Sequence, residues 1–328
     1  MSAPQISVVM PVYNVEAYIE EAIQSVLDQT FENFELIIVD DGGNDNSMAI
    51  AAAFSDDRIK IVRQENRGLA GARNTGIANS SAPLVALLDS DDRWHQDKLL
   101  LHYVHMRASP DVGVSYSGSQ LIDANGVPMR VAMRPKLTGI TPRDVLCRNP
   151  VGNGSAPVLR REALNAAVSP HPQDPDRLCW FNEDFRQSED IELWVRLSAV
   201  HGVKFEGIEG LLTEYRIIRN ALSASVVKQY NTWTQMLAIA KEQAPELIAE
   251  HGETARAYQL RYLARRAVQL GDSELAHAFF KRAMDADPKI FMEEPKRTAV
   301  TWAAVQAVRL VGQDRFRKLM KPYLKAAA

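Results

Sequence analysis

Through the first 110 residues, short continuous apolar runs alternate with segments of helical periodicity, the pattern of βαβ units around a mostly parallel sheet. The predicted strands are Ile6–Met10, Phe34–Val39, Ile59–Gln64 and Leu84–Leu88. Runs such as LIIV at 36–39 and LVALL at 84–88 show no polar alternation, which predicts strands covered on both faces. Between the first two strands, Tyr18, Ile19, Ala22, Ile23, Val26 and Leu27 recur at helical spacing. They predict a helix packed on the sheet, with Asn14 as N-cap and Glu16 in its first turn.

From about Gly113 the pattern changes. Val114–Tyr116 and Leu121–Asp123 read as short strands, and Asn125-Gly126 supplies a tight turn before Val127–Met133. A helix is predicted over Ser188–His201, with Ile191, Trp194, Val195 and Leu197 on one side, followed by strands at Lys204–Glu206 and Leu211–Ile217. Beyond about Ser225 the strand signal ends and good helix formers dominate. The expected organisation is an α/β domain over 1–224, in halves 1–112 and 113–224, and an all-helical C-terminal domain over 225–328. Within the latter, Gly271, Ala276, Phe280, Ala283 and Pro288 are spaced like the second half of a tetratricopeptide repeat. A single such unit predicts one helical hairpin, since a repeat array needs about three.

Composition changes this picture little. Lys plus Arg at 38 against Asp plus Glu at 41 gives a net charge of −3, too weak a field to grip nucleic acid. Cys147 and Cys179 lack metal or redox spacing and are expected to be free thiols in a reducing compartment. The opening MSAPQISVVMPVYN has no basic n-region or signal-length apolar stretch, and Ala299–Val311 is broken by Gln306 and Arg309. A cytoplasmic protein is expected, at most peripheral at the inner face of a membrane.

The acids are where the chemistry concentrates. Asp89-Ser90-Asp91-Asp92 follows LVALL, at the carboxyl edge of the sheet, where open α/β sheets bind ligands. Three carboxylates so close repel one another unless a cation or donors compensate, and Mg²⁺ needs only one or two of them beside substrate phosphates. A solvated turn is the plainer alternative. Asp40-Asp41-Gly42-Gly43 ends LIIV, where an Asp can accept from a base or a sugar hydroxyl and the glycines allow close approach; an Asx turn with an N-cap at Asp45 or Ser47 would need no ligand. The segment Asn66–Gly76 matches neither GxGxxG nor GxxxxGK[ST]. Its Gly68, Ala70, Gly71 and Ala72 let a helix start lie close to the sheet, with Arg73 and Asn74 in reach of phosphate, base or the acids; a structural ion pair for Arg73 is equally open.

In combination, VVMPVYN at 8–14, QTFENFELIIVDDGGNDNS at 29–47, NRGLAGARNTGI at 66–77 and LLDSDDRW at 87–94 resemble glycosyltransferase family 2, over roughly residues 5–224. The resemblance implies a GT-A fold: a mostly parallel, mixed sheet with flanking helices, residues 1–112 binding the nucleotide sugar and 113–224 the acceptor. It implies transfer of a sugar from a nucleoside diphosphate, UDP first among the nucleotides, to a hydroxyl of a glycan or lipid-linked acceptor, with inversion and the help of Mn²⁺ or Mg²⁺. By the same resemblance Pro11, Tyr13 and Asn14 lie beside the donor nucleotide, Asp41 or Asp40 accepts from the base, and Arg73, Asn74 and Ser90 lie near the donor. Asp89 and Asp91 form the DxD for ribose and metal, with Asp92 sharing that duty.

Ser188-Glu189-Asp190-Ile191-Glu192-Leu193-Trp194 resembles the family's acidic pair at a helix start, implying Asp190, or alternatively Glu189, as the base that deprotonates the acceptor. Without the resemblance these are first-turn acids behind a Ser188 N-cap. Tyr215-Arg216-Ile217 and Ser223 resemble the segment near the diphosphate, with Arg216 facing the leaving group, although Ile218 replaces the usual His and Gly43 the usual Ser of DDGS. Gly152–Ala156 resembles the stretch lining the acceptor site and is given no specific chemistry. Two rival classes are weighed. One is a non-catalytic interaction protein built on the helical domain; the other, a nucleotidyltransferase, lacks its phosphate loop after the first strand. Basic residues Arg309, Arg315, Arg317, Lys318, Lys321 and Lys325 among Leu310, Val311, Phe316, Leu319, Met320 and Leu324 suggest a surface for anionic lipid, or an ordinary docked helix.

Overall fold

The computed structural model describes residues 3–218 and 225–312. Ser223 and the basic residues from Arg315 to Lys325 lie outside the described residues. The chain divides into two compact bodies: residues up to Thr141 with Pro150–Ile218, and Pro142–Asn149 with the described residues from Ser225 on.

In chain order the elements are β1 (Ile6–Val12), α1 (Ile19–Leu27), β2 (Phe34–Asp40), α2 (Ser47–Ala52), β3 (Ile59–Arg63), α3 (Gly68–Ala78), β4 (Leu84–Leu87), β5 (Arg93–Trp94), α4 (Lys98–Ala108), β6 (Val112–Ile122), β7 (Pro128–Met133) and α5 (Pro142–Arg148). There follow β8 (Val158–Arg160), α6 (Arg161–Ala166), β9 (Ser169–His171), β10 (Asp174–Cys179), α7 (Glu189–Ala199), β11 (Lys204–Arg216), α8 (Val226–Gln243), α9 (Pro245–Leu270), α10 (Ser273–Ala286), α11 (Ile290–Glu293) and α12 (Pro295–Val311).

The first body is built on a nine-stranded sheet ordered β3-β2-β1-β4-β8-β6-β11-β5, with β7 paired to β6. Strands β1 to β4 run parallel, whereas β8 is antiparallel to both β4 and β6, so the sheet is mixed. Every residue of β1 is buried, as a strand covered on both faces requires. Helix α1 covers one face with Ile19, Ala22, Ile23 and Val26. Helix α3 covers the other with Ala72 against Ile37 and Val39. It lies close because Gly76 has no side chain: a Cβ there would collide with Val9 Cγ1.

Three local expectations are corrected. Asn14 caps no helix: α1 begins at Ile19, and Asn14, at a φ of 51°, instead accepts the Asn44 N–H at 2.8 Å. The two short strands after Gly113 are one 11-residue strand, β6, in which buried Ser115, Ser117 and Ser119 interrupt the apolar run without ending the pairing. Likewise β11 is a single 13-residue strand, carried past Gly210 by register shifts near Ile208 and Leu211.

In the second body, α9 and α10 pair through a tight turn at Gly271, whose φ of 79° is left-handed, and Asp272, which caps α10 by accepting the Leu275 N–H. Ala276 and Ala283 are fully buried on the inner side of α10. Helix α5 joins this body, where Arg143 and Arg148 pair with Glu293 and Glu294 at 2.7 and 2.8 Å. Among the described residues no helix is long and apolar enough to cross a membrane.

Candidate active site

The ends of β2 and β4 carry the two acidic clusters to one edge of the sheet, and their environments differ. Asp41 is buried and its carboxylate accepts three hydrogen bonds: from the Gln64 side chain at 2.6 Å, the Arg67 N–H at 2.8 Å and the Gly68 N–H at 2.9 Å. The last two are free amides at the start of α3, so Asp41 serves as the anion at that helix N-terminus. Asp40 accepts the Gly42 N–H at 3.1 Å and lies 3.7 Å from the exposed Arg63. Asn14 stands across from this loop, against Gly43.

At the end of β4 the acids divide into three roles. Asp92 is buried, with one oxygen accepting the Ser155 hydroxyl at 2.6 Å and the other the Arg216 N–H at 2.8 Å. Burial and the charges of Asp91 and Asp89 hold it well above the carboxylate range. Through these two bonds Asp92 braces the turn against Ser155 and the end of β11. Asp89 is bound by Arg73 at 2.7 Å, and its N–H donates to Ser155 Oγ at 3.0 Å. Asp91 has no donor among the described residues beyond its own amide, and burial followed by the Asp89 charge pushes it up to about 6.

Arg73, 1% exposed, joins the two halves of the site. Its guanidinium forks between Asp89 after β4 and Glu189 at the start of α7, at 2.7 Å to each, over the face of Phe181. Burial opposes the charge, yet Asp89, Glu189 and Asp190 together hold Arg73 above its ordinary pKa. The fork has room because residue 154 is glycine: a Cβ would collide with Arg73 Nη2. On α7, burial pushes Glu189 up to about 7 against the pull of Arg73. Asp190 is only partly buried, and its carboxylate accepts two backbone amides, the Ile191 N–H at 2.8 Å and its own. Burial raises its pKa too, against the pull of Arg73. The dipole of α7 alone would lower it, so enclosure is what keeps Asp190 basic. Ser188 is not the N-cap expected: its φ is 64° and its side chain makes no capping bond.

Two expected donor ligands are already occupied. Asn74 is buried, and its amide donates to the Phe181 carbonyl and Glu183 while accepting the Trp180 and Phe181 N–H groups, between 2.8 and 3.0 Å. It fastens α3 to the segment after β10. Arg216 is buried against the Tyr18 ring and donates to the Asp91 carbonyl and to Glu21, both at 2.7 Å, and more weakly to the Asp123 and Ala124 carbonyls. Its guanidinium shapes the Asp91 turn from behind rather than facing outward. Pro11 is buried at the end of β1, Tyr13 is half-exposed, and Ser90 is buried within the acidic turn.

Sequence reasoning missed the residues that set these roles. Ser155 joins Asp89 to Asp92, Gln64 links Asp41 to Thr75, and Glu183 holds Asn74. For Ser155 a signal existed, in the small polar stretch Asn153-Gly154-Ser155 before an apolar pair. Among the described residues no group of three or more His, Cys, Asp or Glu side chains is arranged to hold a metal ion. The donors present, Asp91 and the second oxygen of Asp89, fit a hard cation that takes the rest of its ligands from a diphosphate.

Comparison with known proteins agrees with this architecture. Residues 7–166 match the model of glycosyl transferase family 2. The chain is 30% identical over 225 residues to the UDP-Glc:alpha-D-GlcNAc-diphosphoundecaprenol beta-1,3-glucosyltransferase WfgD of Escherichia coli, covering 68% of this chain and 81% of the relative. The fold matches S. aureus TarS 1–349 in complex with UDP, with a TM-score of 0.53 at 16% identity over 88% of this chain and 92% of the other. It also matches the mannosyltransferase PcManGT of Pyrobaculum calidifontis, in complex with GDP-Man and Mn²⁺, with a TM-score of 0.57 at 19% identity over 95% and 87% of the chains. The chain belongs to glycosyltransferase family 2 and is a glycosyltransferase.

Proposed function

We propose that the protein transfers a sugar from a nucleoside diphosphate donor to an acceptor hydroxyl in one inverting displacement, with Asp190 as general base. The observation that carries this reading is the Arg73 fork, which ties the donor-side Asp89 to the start of α7 through two 2.7 Å ion pairs. Asp190, the next residue after Glu189, would take the acceptor proton on a carboxylate that accepts backbone amides and no side-chain donor among the described residues. Glu189, neutralised by Arg73, is the supporting partner rather than the base. A single displacement needs one such carboxylate, whereas retention through a covalent intermediate needs a nucleophile as well.

On the donor side, Asp89 and Asp91 would hold Mn²⁺ or Mg²⁺, which supplies positive charge to the departing diphosphate when bound. Asp91 is the carboxylate best placed for this, because no side chain among the described residues donates to it and the Arg216 charge offsets burial and Asp89 only in part. Pro11, Tyr13, Asn14, Asp40 and Asp41 shape the nucleotide end, with Asp41 acting chiefly through the loop that it holds. UDP is the favoured nucleotide, on the names of WfgD and of the TarS complex. A glycan acceptor, lipid-linked as in the name of WfgD, would suit a cytoplasmic enzyme working at the inner membrane face. The exposed Trp302 and Arg309, seven residues apart on α12 and so on one side of it, are candidates for such contact.

Replacing Asp190 with Asn tests the assignment. Transfer is expected to fall by about 10²- to 10⁴-fold with UDP affinity unchanged. Transfer at the wild-type rate would remove Asp190 from the mechanism.

A further inference from the structure

Beneath the acidic turn lies a lysine that the mechanism above does not use. Lys98, at the start of α4, is fully buried, and its ammonium donates to the Ala156 carbonyl at 2.7 Å and to Thr213 Oγ1 at 3.3 Å. It lies over the Trp94 ring and 3.5 Å from His102 Nε2. Among the described residues no carboxylate offsets its charge, and burial alone pulls its pKa down to about 7. An apolar residue of similar length would be the more stable choice for such a position, so the ammonium calls for a reason.

The reason lies in what it holds. The neighbouring Ser155 carbonyl accepts from Trp94 Nε1 at 2.9 Å and Thr213 Oγ1 at 3.3 Å, so Lys98, Trp94 and Thr213 together fix two consecutive carbonyls. On the other side of the same residue, Ser155 Oγ accepts the Asp89 N–H and donates to Asp92. Every one of these side chains except Asp89 is buried. We propose that Lys98 is a positioning residue for sugar transfer: it holds the Ala156 carbonyl directly and the Ser155 carbonyl through Thr213, so that the Ser155 hydroxyl sets the Asp89–Asp92 turn at the donor edge.

This inference rests on the acidic turn as donor site, and a chain in which the wild type transfers sugar but Lys98 is dispensable would sink only the inference. The test is a double-mutant cycle of Lys98→Met and Ser155→Ala, with kcat, KM for the donor sugar nucleotide chosen from UDP-glucose, UDP-GlcNAc and GDP-mannose, and Tm measured for each protein. K98M is expected to lower kcat at least tenfold at temperatures well below its Tm, and S155A to do the same. The double variant is expected to be no worse than S155A within about twofold, because both changes cut one route. A fall in Tm with kcat and KM unchanged, or full multiplication of the two losses, overturns the proposal. Should K98M not fold, S155A alone decides: wild-type kcat in that variant overturns the proposal, since the route runs through the Ser155 hydroxyl.

Discussion

The two acidic clusters look alike in sequence, Asp-Asp-Gly-Gly after one strand and Asp-Ser-Asp-Asp after another, and the fold uses them in opposite ways. At the end of β2 the chain supplies the compensating donors itself. Asp41 takes two amides of the α3 start and one side-chain amide, and so is a stabilising anion. At the end of β4 compensation is incomplete: Arg73 answers Asp89, Ser155 and Arg216 answer Asp92, and for Asp91 the charge of Arg216 is outweighed by burial and Asp89. The contrast teaches that an acid which costs the folded state something is the better candidate for binding a cation than one already satisfied.

Breaking the compensation should have the largest effect. Arg73→Met leaves Asp89 and Glu189 without their shared cation in a buried setting, which is expected to cost about 3–5 kcal/mol, seen as a lower urea midpoint or loss of soluble protein. A variant as stable as the wild type would show the fork to be incidental. Next, Asp41→Asn exchanges a charged acceptor for a neutral one at the α3 start and is expected to cost about 1–3 kcal/mol.

Asp91→Asn should move stability the other way, and its pH dependence sharpens the comparison. Burial and Asp89 raise Asp91 to about 6 in the folded state, above the ordinary 3.8. Between these values the folded chain retains a proton that the unfolded chain has lost, so stability falls as pH rises through the window. Without metal or nucleotide, D91N is therefore expected to match the wild type near pH 4 and exceed it by on the order of 1 kcal/mol above pH 7, read as Tm against pH. Parallel curves would contradict the assignment. The smallest change is expected for Asp40→Asn, whose partner Arg63 is exposed and 3.7 Å away: under about 0.5 kcal/mol by thermal melts.

Much of this framework was legible from residue pattern alone. Continuous apolar runs marked β2 and β4, and the acids stood where those runs stop, because a strand covered on both faces cannot hide its ends. What was not legible depends on partners far along the chain. Asn14 looks like a helix cap until the Asn44 amide arrives from 30 residues away, and Asn74 looks like a donor ligand until Phe181 and Glu183 fill its amide from 107 and 109 residues away. Strand β8 is three residues long, too short for any periodicity, yet it makes the sheet mixed and leads in from Ser155. Ser188 fails as a cap because its left-handed backbone turns the chain into α7 without a side-chain bond.

The most direct measurement is calorimetric titration of UDP with Mn²⁺ into wild-type protein, D91N and, as a control at an exposed acid outside the site, Asp111→Asn at pH 7.5. Metal-dependent binding is expected in the wild type and D111N and is expected to fall at least tenfold in D91N while its Tm holds or rises. Equal metal-dependent affinity in all three proteins would contradict the claim that the least compensated acid at the end of β4 is the one that serves the donor.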